Sequence, residues 1–239
     1  MRTRHRAVVG VVLAVLGVSA CSADPQGRPA TGAASDRTHP QARLREGLLT
    51  LDRLPQGFQL NTADVNSTTT GAPHTPSAVS IASMPCSELG VESFMTAHAH
   101  PVEDAAVGVE RTPVGDDDMG WFGQESLDRY APGQAAEVMA AIRGVAGRCA
   151  SSTDTLADGT PLRDTASVTA AGVAADDSLL LHLTSAFPDG GQQFVNETAF
   201  VRMGDVILMV QHVVEDHPSS DTETVLSAAM TAYRSTAGG

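Results

Sequence analysis

Lysine is absent: all 15 basic side chains of the 239-residue chain are arginine. That excludes Schiff-base chemistry, a P-loop lysine and a lysine nucleophile. Aromatic residues are scarce, with one Trp, two Tyr and six Phe, so the chain offers no broad stacking platform for nucleic-acid bases. Positive charge is outweighed by 28 acidic residues. The resulting net charge of −13 opposes binding to nucleic acid or to an anionic membrane through a basic patch. GxSxG, HExxH, CxxC and a glycine-rich phosphate loop are all missing, as is any internal repeat. A hydrophobic fraction of 42% is nonetheless enough for a folded core.

The N-terminus carries an address. Arg2, Arg4 and Arg6 precede the uncharged run Ala7–Val18, whose 12 residues fall short of the roughly 20 that span a bilayer. Their length and flanks match a secretory signal segment. Val18-Ser19-Ala20-Cys21 then resembles the bacterial lipobox: an aliphatic residue, two small residues and a cysteine. The resemblance implies a diacylglyceryl thioether on Cys21, cleavage before it, and attachment to the outer face of the cell membrane. The alternatives are a plain signal peptide with a chance cysteine, or a single anchoring helix. On the first reading residues 1–20 are a signal peptide, and 21–41 are the lipidated cysteine and a flexible tether. The tether's Ala, Gly, Pro, Ser and Thr would span roughly 25 Å. Residues 42–239 form the domain. Cleavage removes three arginines and no acid, leaving 12 bases against 28 acids, a net of −16.

With Cys21 assigned to lipid, Cys86 and Cys149 remain, and in an exported protein two thiols most simply pair. The alternative is two free buried cysteines. A metal site lacks a second ligand at chelating distance in sequence.

Periodicity predicts one α+β domain, an antiparallel sheet backed by helices on one side, with one disulfide. Helices are expected over 42–50, with Leu44, Leu48 and Leu51 inward, and over 86–97. A third is expected over 133–149, with the stripe Val138, Ile142, Val145 and Cys149. The last helix starts at the capping box Ser220–Glu223 and buries Val225, Leu226, Ala229, Met230 and Tyr233. Strands are expected at 58–62, 77–84, 106–112, 119–130, 166–174, 178–187, 193–203 and 205–214, with a polar loop at 66–76 and a covering loop at 150–165.

Several of these features occur together in a known family. Leu48-Leu49, Leu54-Pro55-Gln56-Gly57-Phe58, Cys86, Cys149 and the stretch RMGDVILMV at 202–210 are in the order expected of it. The chain resembles the actinobacterial extracytoplasmic sensor-like domains carried by mycobacterial serine/threonine kinases and by free-standing lipoproteins. Those kinase domains have two disulfides, whereas this chain has cysteines for one, and no kinase domain is present. The resemblance implies a helix-backed antiparallel sheet with a ligand-binding cleft.

The chemical inventory is thin. His98, His100, Glu103 and Asp104 read as a solvated, proline-ended loop, and Asp116-Asp117-Asp118 as a charged turn without the calcium-loop spacing. Asp128, Glu197 and Asp216 show no sign of converging, and His182 and His212 read as strand histidines. No catalytic residue, metal ligand or cofactor is assigned. Apolar residues of both parities in the C-terminal strands call for two covers. An apolar or mixed ligand is therefore expected between sheet and helices, oriented by His182, Val195, Glu197 and Arg202. The expected function is a lipid-anchored binding or sensing protein without catalysis. A partner-docking envelope lipoprotein comes second and an exported hydrolase third.

Overall fold

Eight strands are joined edge to edge: β1 (Phe58–Asn61), β2 (Glu103–Arg111), β3 (Trp121–Arg129), β4 (Ser152–Thr155), β5 (Pro161–Thr169), β6 (Asp177–Ala186), β7 (Gln193–Met203) and β8 (Val206–Glu215). The computed structural model describes residues 40–61, 76–91, 94–115, 118–156, 158–188, 190–191, 193–215 and 221–237. Residues 1–39, including the signal segment and Cys21, lie outside these, as do the loop at 62–75, Asp216 and Ser220. Every neighbouring pair is antiparallel, in the order β1-β2-β3-β8-β7-β6-β5-β4. The last strand lies between β3 and β7, so the first three strands reach the other four only through it.

The four helices are α1 (Pro40–Glu46), α2 (Phe94–His98), α3 (Gln134–Arg148) and α4 (Asp221–Ala237). They cover both faces of the sheet, not the single face expected. Ile207 and Met209 join the cluster under α2 and α3, whereas Val206, Leu208 and Val210 join the one under α1 and α4. Successive side chains of a strand point to opposite faces, so alternation alone divides these residues between two cores. The expected α3 stripe is buried, as are Val225, Leu226, Ala229 and Met230 of α4; Tyr233 is half-buried. Leu51, expected inside, is 75% exposed because α1 ends at Glu46 and the chain turns outward.

The disulfide joins Cys86 to Cys149, with Cα atoms 5.5 Å apart. The segment before α2 departs most from expectation. Residues 77–84 are not a strand: Ile81–Ser83 form a 3-10 turn that buries Ile81 and Met84, three residues apart. Cys86–Glu88 form a second such turn instead of opening a long helix. The break is at Gly90, whose φ of +84° leaves the helical region. Its carbonyl accepts hydrogen bonds from Gln211 (2.6 Å) and Asn196 (3.4 Å), and Gln124 donates to Gln211 at 3.1 Å. A Cβ at Gly90 would lie 2.1 Å from Leu183 Cδ1, so the turn sits directly on the sheet. His98, read as a solvated loop residue, is buried as a clasp, with Nδ1 2.6 Å from the Val79 carbonyl and Nε2 2.6 Å from Glu88.

The covering loop expected at 150–165 contains β4 and the start of β5, which runs five residues earlier than its pattern suggested. Among the described residues no helix is long and apolar enough to cross a membrane.

Candidate functional site

Register aligns one polar row on the α4 face of the sheet. Ser167 faces His182, His182 faces Glu197, Glu197 faces His212, and His212 faces Gly123. Antiparallel pairing keeps facing residues on one side of the sheet, so five strands bring this row together. His182 Nδ1 is 3.1 Å from Glu197 Oε1, and its Nε2 is 3.2 Å from Thr169 Oγ1. With Nδ1–H donating to the carboxylate, Nε2 accepts from the Thr169 hydroxyl. Thr222 of α4 donates to Glu197 Oε2 at 3.5 Å, and Trp121 Nε1 donates to Thr222 at 3.4 Å. Glu197 is 5% exposed at its side chain and His182 27%, so an imidazole reachable from solvent is backed by a buried carboxyl group. Ser167 and Thr169 lie exposed beside it, where the sheet extends past α4.

The inner end of the row is closed by stacking. The Trp121 ring lies on His212 with centroids 5.3 Å apart and planes 11° from parallel, and Phe58 meets its edge at 5.8 Å. Gly123 makes room for this: a Cβ there would be 2.5 Å from Trp121 Cη2 and 2.2 Å from the Gln211 carbonyl oxygen. Burial pushes the His212 pKa down to about 4, so this imidazole is neutral in the fold.

The four residues expected to orient a ligand divide. His182 and Glu197 pair directly. Val195 faces Thr184 and borders a separate recess of about 220 Å³ with Leu89, Gly90, Leu183 and Phe194. Arg202 lies five residues from Glu197, roughly 17 Å along β7, next to Asp176 (3.6 Å) and the Gly204 carbonyl (3.3 Å). Helices lie over both apolar faces of the sheet, and between them and the sheet a recess of about 100 Å³ remains where Cys86, Leu89 and Cys149 meet Leu162, Ala166 and Leu183. A groove of about 890 Å³ lies on the outer side of α4, between Arg53, Pro55 and the small residues Thr224, Ala228, Thr231 and Ala232. Asp128 and Glu197 lie on opposite faces and do not converge. Among the described residues no three His, Cys, Asp or Glu side chains gather to hold a metal ion.

Two buried carboxyls lie on β3: Asp128, named from sequence only as one of three carboxylates that do not converge, and Glu125, which the sequence did not single out. Glu125 accepts a hydrogen bond from the Leu49 amide at 2.8 Å, and burial raises its pKa to about 8. Asp128 is raised to about 7 by burial and then by Asp104 across the strand pair, with Ser126 donating to it at 3.3 Å. The folded protein holds these protons where the unfolded chain has released them, so stability falls as pH rises from the ordinary carboxylate range through about 7 and 8. His212 acts oppositely between about 4 and 6.5, where the unfolded imidazole binds a proton and the buried one does not. His212 offsets about half of the loss below pH 6.5, so the decline is steepest from about 6.5 to 7 and ends near 8. A melting temperature that falls from pH 6.5 to 8.5, with the slope reduced in Glu125→Gln and Asp128→Asn, is the expected result; a flat profile contradicts it.

The described residues define an α+β domain with one disulfide and a polar row on a partly open sheet face. No family model and no curated protein sequence matches the chain. Among solved structures it is similar to the extracellular domain of PknH from Mycobacterium tuberculosis, at 14% identity and a TM-score of 0.41, over 80% of this chain and 98% of that one.

Proposed function

We propose that this chain is a lipid-anchored extracytoplasmic lipoprotein that binds or senses a ligand without catalysing a reaction. The disulfide between Cys86 and Cys149 carries the extracytoplasmic part, because such bonds persist in oxidising compartments. The Val18-Ser19-Ala20-Cys21 box supports a lipid on Cys21. Two acyl chains give durable attachment, and the acidic body stands off an anionic surface. His182, held between Thr169 and Glu197, supports binding of a ligand with hydrogen-bonding groups. The hydroxyl–imidazole–carboxyl order is also that of a nucleophile, base and orienting acid. Thr169, however, sits in a regular strand and not on a sharp turn that aims backbone amides at an oxyanion, which favours binding over bond cleavage.

Cys21→Ala is the test of the anchor. Release into the medium, or arrest as a precursor, is expected; a variant that stays membrane-bound at wild-type mass overturns it. For the ligand, the His182 ring resonances are followed while fractions of a cell-envelope extract are titrated in. A shift lost in Glu197→Gln supports binding at this row, and an unmoved spectrum across all fractions counts against it. The docking alternative rests on one observation, the helical cover over both apolar faces.

A further inference from the structure

We infer that the exposed edge of β5 is a self-association surface, on which two copies of this chain pair antiparallel about Ser167. β4 covers β5 only from Pro161 to Asp164. From Thr165 to Thr169, β5 is paired with β6 on one side and with no strand on the other among the described residues. Every second residue of such a stretch directs its amide and carbonyl outward, where they are free to take another strand.

Sheet edges are usually guarded by charge, proline, a bulge or glycine, and this one is not. Residues 165–169 read Thr-Ala-Ser-Val-Thr. The opposite side of the sheet differs: where β2 runs past the end of β1, it carries Glu103 and Asp104. The β5 edge is also bounded at both ends. β4 blocks it beyond Thr165, and after Thr169 the chain leaves the sheet toward α4, where Ala171 and Val173 pack and Arg234 donates to the Ala174 carbonyl. The result is a notch five residues long.

A second copy is the occupant because the pattern is symmetric about its centre. Hydroxyl residues at 165, 167 and 169 lie exposed on one face, and Ala166 and Val168 pack toward α3 on the other. A two-fold axis through Ser167 pairs Thr165 with Thr169 of the second copy and Ala166 with its Val168. Like then meets like on both faces, with no charge opposed, as a self-complementary interface requires. The two notches are equal in length, and β4 of each copy falls in the space that the other chain has vacated after Thr169.

Cysteine crosslinking of the full chain tests this. Facing residues in such a pair have Cβ atoms about 5 Å apart, so Ser167→Cys should form a covalent dimer on mild oxidation. Thr165→Cys alone and Thr169→Cys alone should not, since each would stand roughly 13 Å from its own copy. An equimolar mixture of those two should crosslink, giving only the mixed dimer. Ala140→Cys, exposed on α3, reports random collision, and the wild-type chain reports any link through Cys21. A Ser167→Cys chain that crosslinks no faster than Ala140→Cys, or a mixture that gives no mixed dimer, overturns the pairing. Stable capture of an unrelated extended peptide, with no dimer, would assign the edge to another partner and also overturn it.

Discussion

Replacing Cys149 by serine is expected to lower the stability of the oxidised protein by about 4 kcal/mol. The two cysteines are 63 positions apart, and cutting the link returns the entropy of that long closed loop to the unfolded chain. Cys149 is buried at the end of α3, and Cys86 opens the turn that leads to the Gly90 contact on the sheet. The variant therefore also loosens segment 81–91, where Arg148 donates to the Met84 carbonyl at 2.6 Å. Denaturant unfolding should show a lower midpoint, and wild type with reductant should approach the variant. Coincident curves for wild type and variant under oxidising conditions would contradict this account.

Gly123→Ala is expected to cost about 3 kcal/mol or more, a large penalty for one methyl group. The added carbon would sit 2.2 Å from a backbone oxygen of β8, so either the β3–β8 ladder opens locally or Trp121 leaves His212. Trp121 fluorescence separates the outcomes: an exposed ring shifts to the red, and an opened ladder leaves it buried. Gly144→Ala, on α3 with nothing within 4 Å of the new atom, should be neutral or stabilising and serves as the comparison. Equal stability of the two variants would contradict the packing argument.

Much of the fold was legible from sequence because its signals are local. The α3 stripe, the hairpin at Gly204-Asp205 and the α4 face are encoded by spacing within a few residues of each other. Segment 77–98 was not legible, since its backbone is held by Gln211, Asn196 and the His98 clasp, partners up to 121 positions away. His182 and Glu197 stood out as polar residues inside apolar strands, but their pairing depends on register. Thr169 was missed because placing β5 five residues late hid its facing partners. Val195 and Arg202 separated because β7 is eleven residues long and its ends serve different neighbourhoods. Glu125 and Asp128 had a readable signal: two acids of opposite parity in a strand with two covered faces must each be buried.

The position of β8 has a consequence for how the chain is assembled. The β1–β3 meander can make its own hairpin contacts early, but β3 stays unzipped until residues 206–215 are delivered, some eighty positions later. A chain crossing a membrane from its N-terminus would thus carry an unfinished sheet until β8 has emerged. Truncation before Val206 would leave two separate half-sheets, each with a sticky margin where β8 belongs, and these are fit for misassembly with other copies. β8 is thus the keystone that joins the two parts of the sheet.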